Sequence, residues 1–198
     1  MAAAPPAANR VVTVPNVVTI VRLGCIPLFL WLLFVAQNRA AAAVLLGVLG
    51  ATDWLDGYVA RRFDQVSELG KVLDPTVDRL LFIVCVGGII IDGSAPLWFS
   101  VLVVIRELLV GGALVVLTLF GMKRFDVSWW GKAGTFGLMI AFPLFLLGSA
   151  SDTPFSSLCW ALGWMCGIPA LAFSYYAAIT YIPTMRRALR EGREERQR

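Results

Sequence analysis

Residues 53–78 read DWLDGYVARRFDQVSELGKVLDPTVD. The stretch lies in a chain of 198 residues that is 59% hydrophobic and 15% charged, with a mean hydropathy of +0.77. So little polar surface suits a bilayer better than water. Yet Asp53, Asp56, Asp74 and Asp78 stand next to, or inside, apolar segments. A carboxylate there is costly and is by default a functional candidate. What the four do together depends on where the spans run.

Apolar runs of about 20 residues, enough to cross a bilayer, recur along the whole chain. Six are marked, at 17–36, 40–61, 71–91, 96–120, 129–148 and 157–183. Gln37-Asn38, Asp92-Gly93-Ser94, Lys123-Arg124 and SASDTP at 149–154 signal breaks. The gap RFDQVSELG at 62–70 is polar and ends in glycine. The expected fold is all-α, a polytopic membrane protein of six transmembrane helices in a single domain over 1–198. Residues 1–16 form a juxtamembrane N-terminus and 184–198 a basic cytoplasmic tail, a surface helix or frayed end. The N-terminus MAAAPPAANR has no apolar signal core, so the first run is expected to be retained.

Of the 17 basic residues, 13 fall in the N-terminus, the 61–71 and 123–132 gaps and the tail, whereas the opposite face holds only Arg39. Arg22, Arg79 and Arg106 lie within spans. The positive-inside rule then puts both termini in the cytoplasm of a multi-pass cell-membrane protein. The net charge of +4 reflects orientation and contact with anionic lipid. No nucleic-acid partner is expected, because there is no basic face away from the membrane surface. Cys25, Cys85, Cys159 and Cys166 lie in apolar runs without a CxxC pair and read as small buried residues. Glycine pairs such as Gly47/Gly50, Gly87/Gly88, Gly111/Gly112 and Gly163/Gly167 read as close helix packing in lipid. The same surfaces suit a homodimer.

With this topology Asp53 and Asp56 come near the cytoplasmic end of the second span, and Asp74 and Asp78 in the first turns of the third. Spacings of three and four put each pair on one helix face. Four bare carboxylates at one place would repel. Protonation or hard divalent cations would relieve that repulsion, and oxygen ligands without imidazole suit Mg²⁺, Mn²⁺ or Ca²⁺. The chain has no histidine, which excludes imidazole catalysis and imidazole metal ligation. The structural alternative, salt bridges with Arg61, Arg79 and Arg22, is a poor arrangement in lipid. Gly57 and Ala60 leave room for a flat group beside the aspartates. Arg61 can reach a diphosphate through its fork of donors. Gly70 opens the third span, with Pro75 just inside it.

Written out, the pattern is D-x₂-D-G-x₂-A-R-x₈-G-x₃-D-x₃-D from Asp53 to Asp78. It resembles the signature of the CDP-alcohol phosphatidyltransferases at every defined position. The resemblance implies that Asp53, Asp56 and Asp74 ligate a pair of Mg²⁺ or Mn²⁺ ions. Asp78 would complete the second site and act as base toward the acceptor hydroxyl. The donor would be CDP-diacylglycerol, its cytidine against Gly57 and Ala60 and its diphosphate on the metals and Arg61; Thr19 and Gly70 would also line the donor site. PNVVTIVRL at 15–23, IRELL at 105–109 and GKAGT at 131–135 resemble the branch of phosphatidylglycerophosphate and cardiolipin synthases. Arg106 and Lys132 would hold an acceptor phosphate; the alternative for Arg106 is an internal pair with Glu107 or another helix. Glycerol 3-phosphate is the leading acceptor and phosphatidylglycerol the alternative. Members that use glycerol 3-phosphate usually read DPxADK, whereas this chain reads DPTVDR, with Val77 and Arg79. An intramembrane prenyltransferase would need more spans, and a cation transporter would need acidic residues deeper than these.

Overall fold

The computed structural model describes residues 14–63, 70–119, 128–150 and 154–196, and the side chains of 20–52, 77, 79–113, 128–150 and 154–183. The described residues contain no strand. They form α1 (Val14–Leu30), a π-helical turn (Trp31–Val35), α2 (Arg39–Phe63), α3 (Gly70–Asp92), α4 (Leu97–Leu119), α5 (Trp129–Ser149) and α6 (Ser156–Arg196). Each helix coincides with one of the six apolar runs to within a few residues at its N-terminal end. Trp129–Ser149 and Ser156–Pro183 are long and apolar enough to cross a membrane, and Ile20–Val35 and Arg39–Thr52 are shorter apolar helices. The break expected at Lys123-Arg124, the residues 64–69 and 151–153 of two others, and the first 13 residues lie outside the described residues.

Local chemistry explains the two breaks that are described. After the π turn, Gln37 takes the left-handed conformation with φ 50°. The side chain of Asn38 then accepts from Ala41 N–H at 2.9 Å and caps α2. At the end of α3, Gly93 has φ 72°. Ser94 N–H reaches Ile89 O and Gly93 N–H reaches Ile90 O, both at 3.3 Å. That is a Schellman ending, for which glycine is the natural residue.

At its far end α6 takes one of the two expected forms of the tail. The span is expected to end near Pro183, with the tail a surface helix or a frayed end; the tail is helical and continuous with the span, one helix of 41 residues through Pro169 and Pro183 to Arg196. A helix of that length spans about 60 Å, roughly twice the hydrocarbon core of a bilayer. Proline removes one hydrogen bond and bends the helix without having to end it.

The chain divides into two compact units, Met1–Gly88 and Ile89–Arg198. In the first, α1 and the π turn pack on α2 around Phe29, Leu33, Ala42 and Ala43, all buried. Gly88 of α3 lets Leu30, Leu33 and Phe29 approach; a β-carbon there would meet Leu30 Cδ2 at 3.2 Å. Val77 of α3 is also buried, at 8% exposed.

In the second unit α5 and α6 form a tight hairpin. A β-carbon on Gly134 would lie 2.8 Å from Ser174 N, one on Gly137 2.6 Å from Ala170 Cβ, and one on Gly148 2.7 Å from Trp160 N. Glycine at these positions lets the backbones touch, which is how helices gain packing energy in lipid. Aromatic rings gather at both ends of the hairpin. Trp130 packs on Trp129, Phe173 and Tyr176 at one end. At the other, Phe145 packs on Phe99, Trp160 and Trp164, and Trp98 stacks on Trp164. The second cluster is part of the buried core, with Phe99 and Phe145 fully buried.

The expected glycine pairs are only partly packing sites. Gly163 meets Phe145 and Gly167 meets Phe99, but Gly87 and Gly112 have open space where a β-carbon would be. All four cysteines are free; Cys85 is buried, and Cys25, Cys159 and Cys166 are half-buried rather than buried.

Candidate functional site

The signature positions fall on three helices of the first unit. Thr19 is in α1. Asp53, Asp56, Gly57, Ala60 and Arg61 occupy the last turns of α2, and Gly70, Asp74 and Asp78 the first turns of α3. Helical register puts positions 53 and 56 on one face of α2, and 74 and 78 on one face of α3. The side chains of all these residues lie outside the described residues. Among the described residues there is no group of three or more His, Cys, Asp or Glu that would hold a metal.

Both basic residues assigned to the acceptor are in the second unit, and α6 holds each of them. Arg106, on α4, is 6% exposed. Its Nη1 lies 2.8 Å from Glu107 Oε2, and its Nε donates to the carbonyl of Ser174 on α6 over a long 3.4 Å. The internal pair weighed in the sequence thus exists. One helical turn earlier on α4, Leu102 O accepts from the hydroxyl of Tyr175 at 2.9 Å, a second tie to α6. Ser174 is also where Gly134 of α5 touches α6. Three helices therefore meet at one polar point.

Lys132 lies exposed in the first turn of α5. Its N–H donates to Ser128 O at 3.2 Å, and Ser128 Oγ caps the helix by accepting from Gly131 N–H at 3.3 Å. Tyr181, two turns beyond Ser174 on α6, accepts from Ser128 N–H at 3.0 Å and from Ser128 Oγ at 3.2 Å. Arg106 is buried, whereas Lys132 is exposed. Their anchors on α6 are seven residues apart, about 10 Å along the helix. Sequence reading had passed over Ser128, Ser174 and Tyr181. Ser128 carried a signal, a capping residue directly before an apolar run; the other two carried none.

The family model for CDP-alcohol phosphatidyltransferase matches residues 12–176. The chain belongs to that family. This phosphatidyltransferase-family protein is accordingly a transferase. It is similar to a Mycobacterium tuberculosis strain H37Rv protein provisionally named cardiolipin synthase, with 36% identity over 92% of this chain and 87% of the relative. It is also similar to the Streptomyces coelicolor cardiolipin synthase (CMP-forming), with 35% identity over 92% of this chain and 86% of the relative. The Bacillus subtilis CDP-diacylglycerol--glycerol-3-phosphate 3-phosphatidyltransferase is 30% identical over 67% of this chain and 76% of that protein.

Proposed function

We propose that this protein moves the phosphatidyl group of CDP-diacylglycerol onto a glycerol hydroxyl of phosphatidylglycerol, forming cardiolipin and releasing CMP. Membership of the family supports the transfer, and the complete signature from Asp53 to Asp78 carries it. The choice of acceptor rests on the higher identity and fuller coverage of the cardiolipin synthases and on DPTVDR in place of DPxADK. Glycerol 3-phosphate, the leading acceptor on sequence grounds, is the second reading. The opening stretch PNVVTIVRL and the likeness to glycerol-3-phosphate enzymes of Bacillus subtilis and Haemophilus influenzae favour it.

A donor set of four carboxylates in a chain without histidine fits two hard divalent ions, Mg²⁺ or Mn²⁺. Asp53, Asp56, Asp74 and Asp78 would hold them. When bound, such ions offset the charge of the diphosphate and of the transferring phosphoryl group. Arg61 adds its fork of donors to the same diphosphate. Gly57 and Ala60 admit the cytidine, with Thr19 and Gly70 lining the donor site. Asp78 takes the proton of the acceptor hydroxyl as its oxygen bonds to the lipid-side phosphorus. The bond from that phosphorus to the CMP oxygen breaks, and CMP leaves. Lys132 binds the acceptor's phosphate, and Arg106 adds a second cation in the reading that gives Arg106 an acceptor role.

The setting is a cell-membrane protein with six spans, both termini and the active site at the cytoplasmic face, working as a homodimer. The six helices and the distribution of Lys and Arg support that topology. Donor and product stay in the lipid while CMP is free to enter water. The experiment is CMP release by the purified protein with CDP-diacylglycerol and Mg²⁺, comparing phosphatidylglycerol with glycerol 3-phosphate. Release with phosphatidylglycerol alone establishes the cardiolipin reading, and release with glycerol 3-phosphate alone establishes the second. Release with neither acceptor overturns both.

A further inference from the structure

We infer that Tyr181 is a positioning residue for Lys132. Its phenolic oxygen locks the first turn of α5 and so fixes where the Lys132 ammonium meets the acceptor phosphate. The inference rests on the reading of Lys132 given above.

A helix beginning with serine often completes its cap with a glutamate or glutamine three positions on, whose side chain reaches back to the N–H of the capping residue. Here that third position is Gly131, which has no side chain to reach back. Tyr181 supplies the missing partner from another helix. Its oxygen accepts from Ser128 N–H at 3.0 Å and from Ser128 Oγ at 3.2 Å. Ser128 in turn holds the two residues that matter, Gly131 through Oγ at 3.3 Å and Lys132 through its carbonyl at 3.2 Å. Tyr181 is 5% exposed and Ser128 half-buried, so the clasp is partly shielded from water. Lys132 itself is exposed and available to a ligand.

The rest of the hairpin does not depend on this clasp. Gly134, Gly137 and Gly148 seat α5 against α6 further along. Losing the Tyr181 hydroxyl therefore frees the first turn of α5 and leaves the helix pair assembled. A freed turn lets the Lys132 ammonium wander, which weakens acceptor capture more than it slows the chemistry.

The test is steady-state CMP release by the full chain, varying CDP-diacylglycerol and whichever acceptor is active. The variants are Tyr181→Phe, Ser128→Ala, Ser128→Thr, Lys132→Ala and the double variant Lys132→Ala/Tyr181→Phe. Tyr181→Phe and Ser128→Ala are expected to raise the acceptor KM about fivefold to tenfold, the size of a lost cap. In both, kcat and the KM for CDP-diacylglycerol stay within twofold. Ser128→Thr, which keeps the hydroxyl, retains the original KM. The double variant is no worse than Lys132→Ala alone, because the clasp has nothing left to position. If Lys132→Ala leaves the acceptor KM unchanged, the reading of Lys132 falls and this inference falls with it. If Lys132→Ala raises that KM but Tyr181→Phe and Ser128→Ala do not, or their effects add to it in full, the reading stands and the positioning role is overturned. A uniform loss of kcat and both KM values on removing either hydroxyl marks a structural role only and also overturns it.

Discussion

Arg106 and Glu107 are neighbours in the chain, and their charges meet at 2.8 Å within α4. Successive helical residues point about 100° apart. The pair therefore closes only because two long side chains bend to a common point. Arg106 also turns its Nε toward Ser174 O on α6, so the pair ties α4 to α6 as well as neutralising charge.

Removing the charge of Glu107 while keeping its shape leaves a buried guanidinium with a weaker partner. Glu107→Gln is expected to destabilise the detergent-solubilised protein by about 2–3 kcal/mol, read as a fall in Tm. The same variant reports on Arg106. If Arg106 shares its charge with the acceptor phosphate, freeing it from Glu107 lowers the acceptor KM. An unchanged KM would leave Arg106 a tie between helices and remove it from the site.

The helix glycines divide sharply by what faces them. Gly134→Ala and Gly148→Ala push a methyl group into the backbone of α6, which can yield only by moving the helix. Each is expected to cost about 1–3 kcal/mol. Gly24→Ala and Gly112→Ala meet open space within their helices and are expected to be neutral or to stabilise by up to about 1 kcal/mol. Thermal unfolding of the four variants side by side checks the contrast. Equal behaviour would mean that the close approach of α5 and α6 does not hold in the membrane.

Two helix endings take the left-handed conformation with opposite residue choices. Gly93 suits φ 72° and Gln37 does not suit φ 50°. Gly93→Ala is expected to lower stability by about 1 kcal/mol although its β-carbon would meet nothing. Gln37→Gly is expected to raise stability by several tenths of a kcal/mol. Melting curves of both variants, with unchanged CMP release, would bear this out.

Asp78 is assigned the acceptor proton. Asp78→Asn keeps the size of the side chain and would remove the proposed base and a proposed metal ligand. Turnover is expected to fall by at least about 10³-fold with the melting temperature nearly unchanged. Chelating divalent ions in the unaltered protein should abolish CMP release, and adding Mg²⁺ back should restore it. Substantial turnover in the Asn variant would take Asp78 out of the role of base.

By itself the amino-acid sequence determined the six helical elements. The length of an apolar run and the breaks at Gln37-Asn38 and Asp92-Gly93 are local, and secondary structure in lipid obeys local rules because every backbone group must be satisfied within its own helix. It also determined the family, since the spacing from Asp53 to Asp78 is a local register on two helices. The tertiary structure alone decided what touches what. It selected Gly134, Gly137 and Gly148 as contact points where Gly87 and Gly112 have none. It brought Tyr181 to Ser128, and Arg106 to the carbonyl of Ser174. The reason is physical. In a membrane protein the lipid-facing and protein-facing sides of a helix are both apolar, so hydrophobic periodicity does not reveal which way the helix is turned. Only the packing of one helix on another sets that rotation, and with it the partners of each buried polar group.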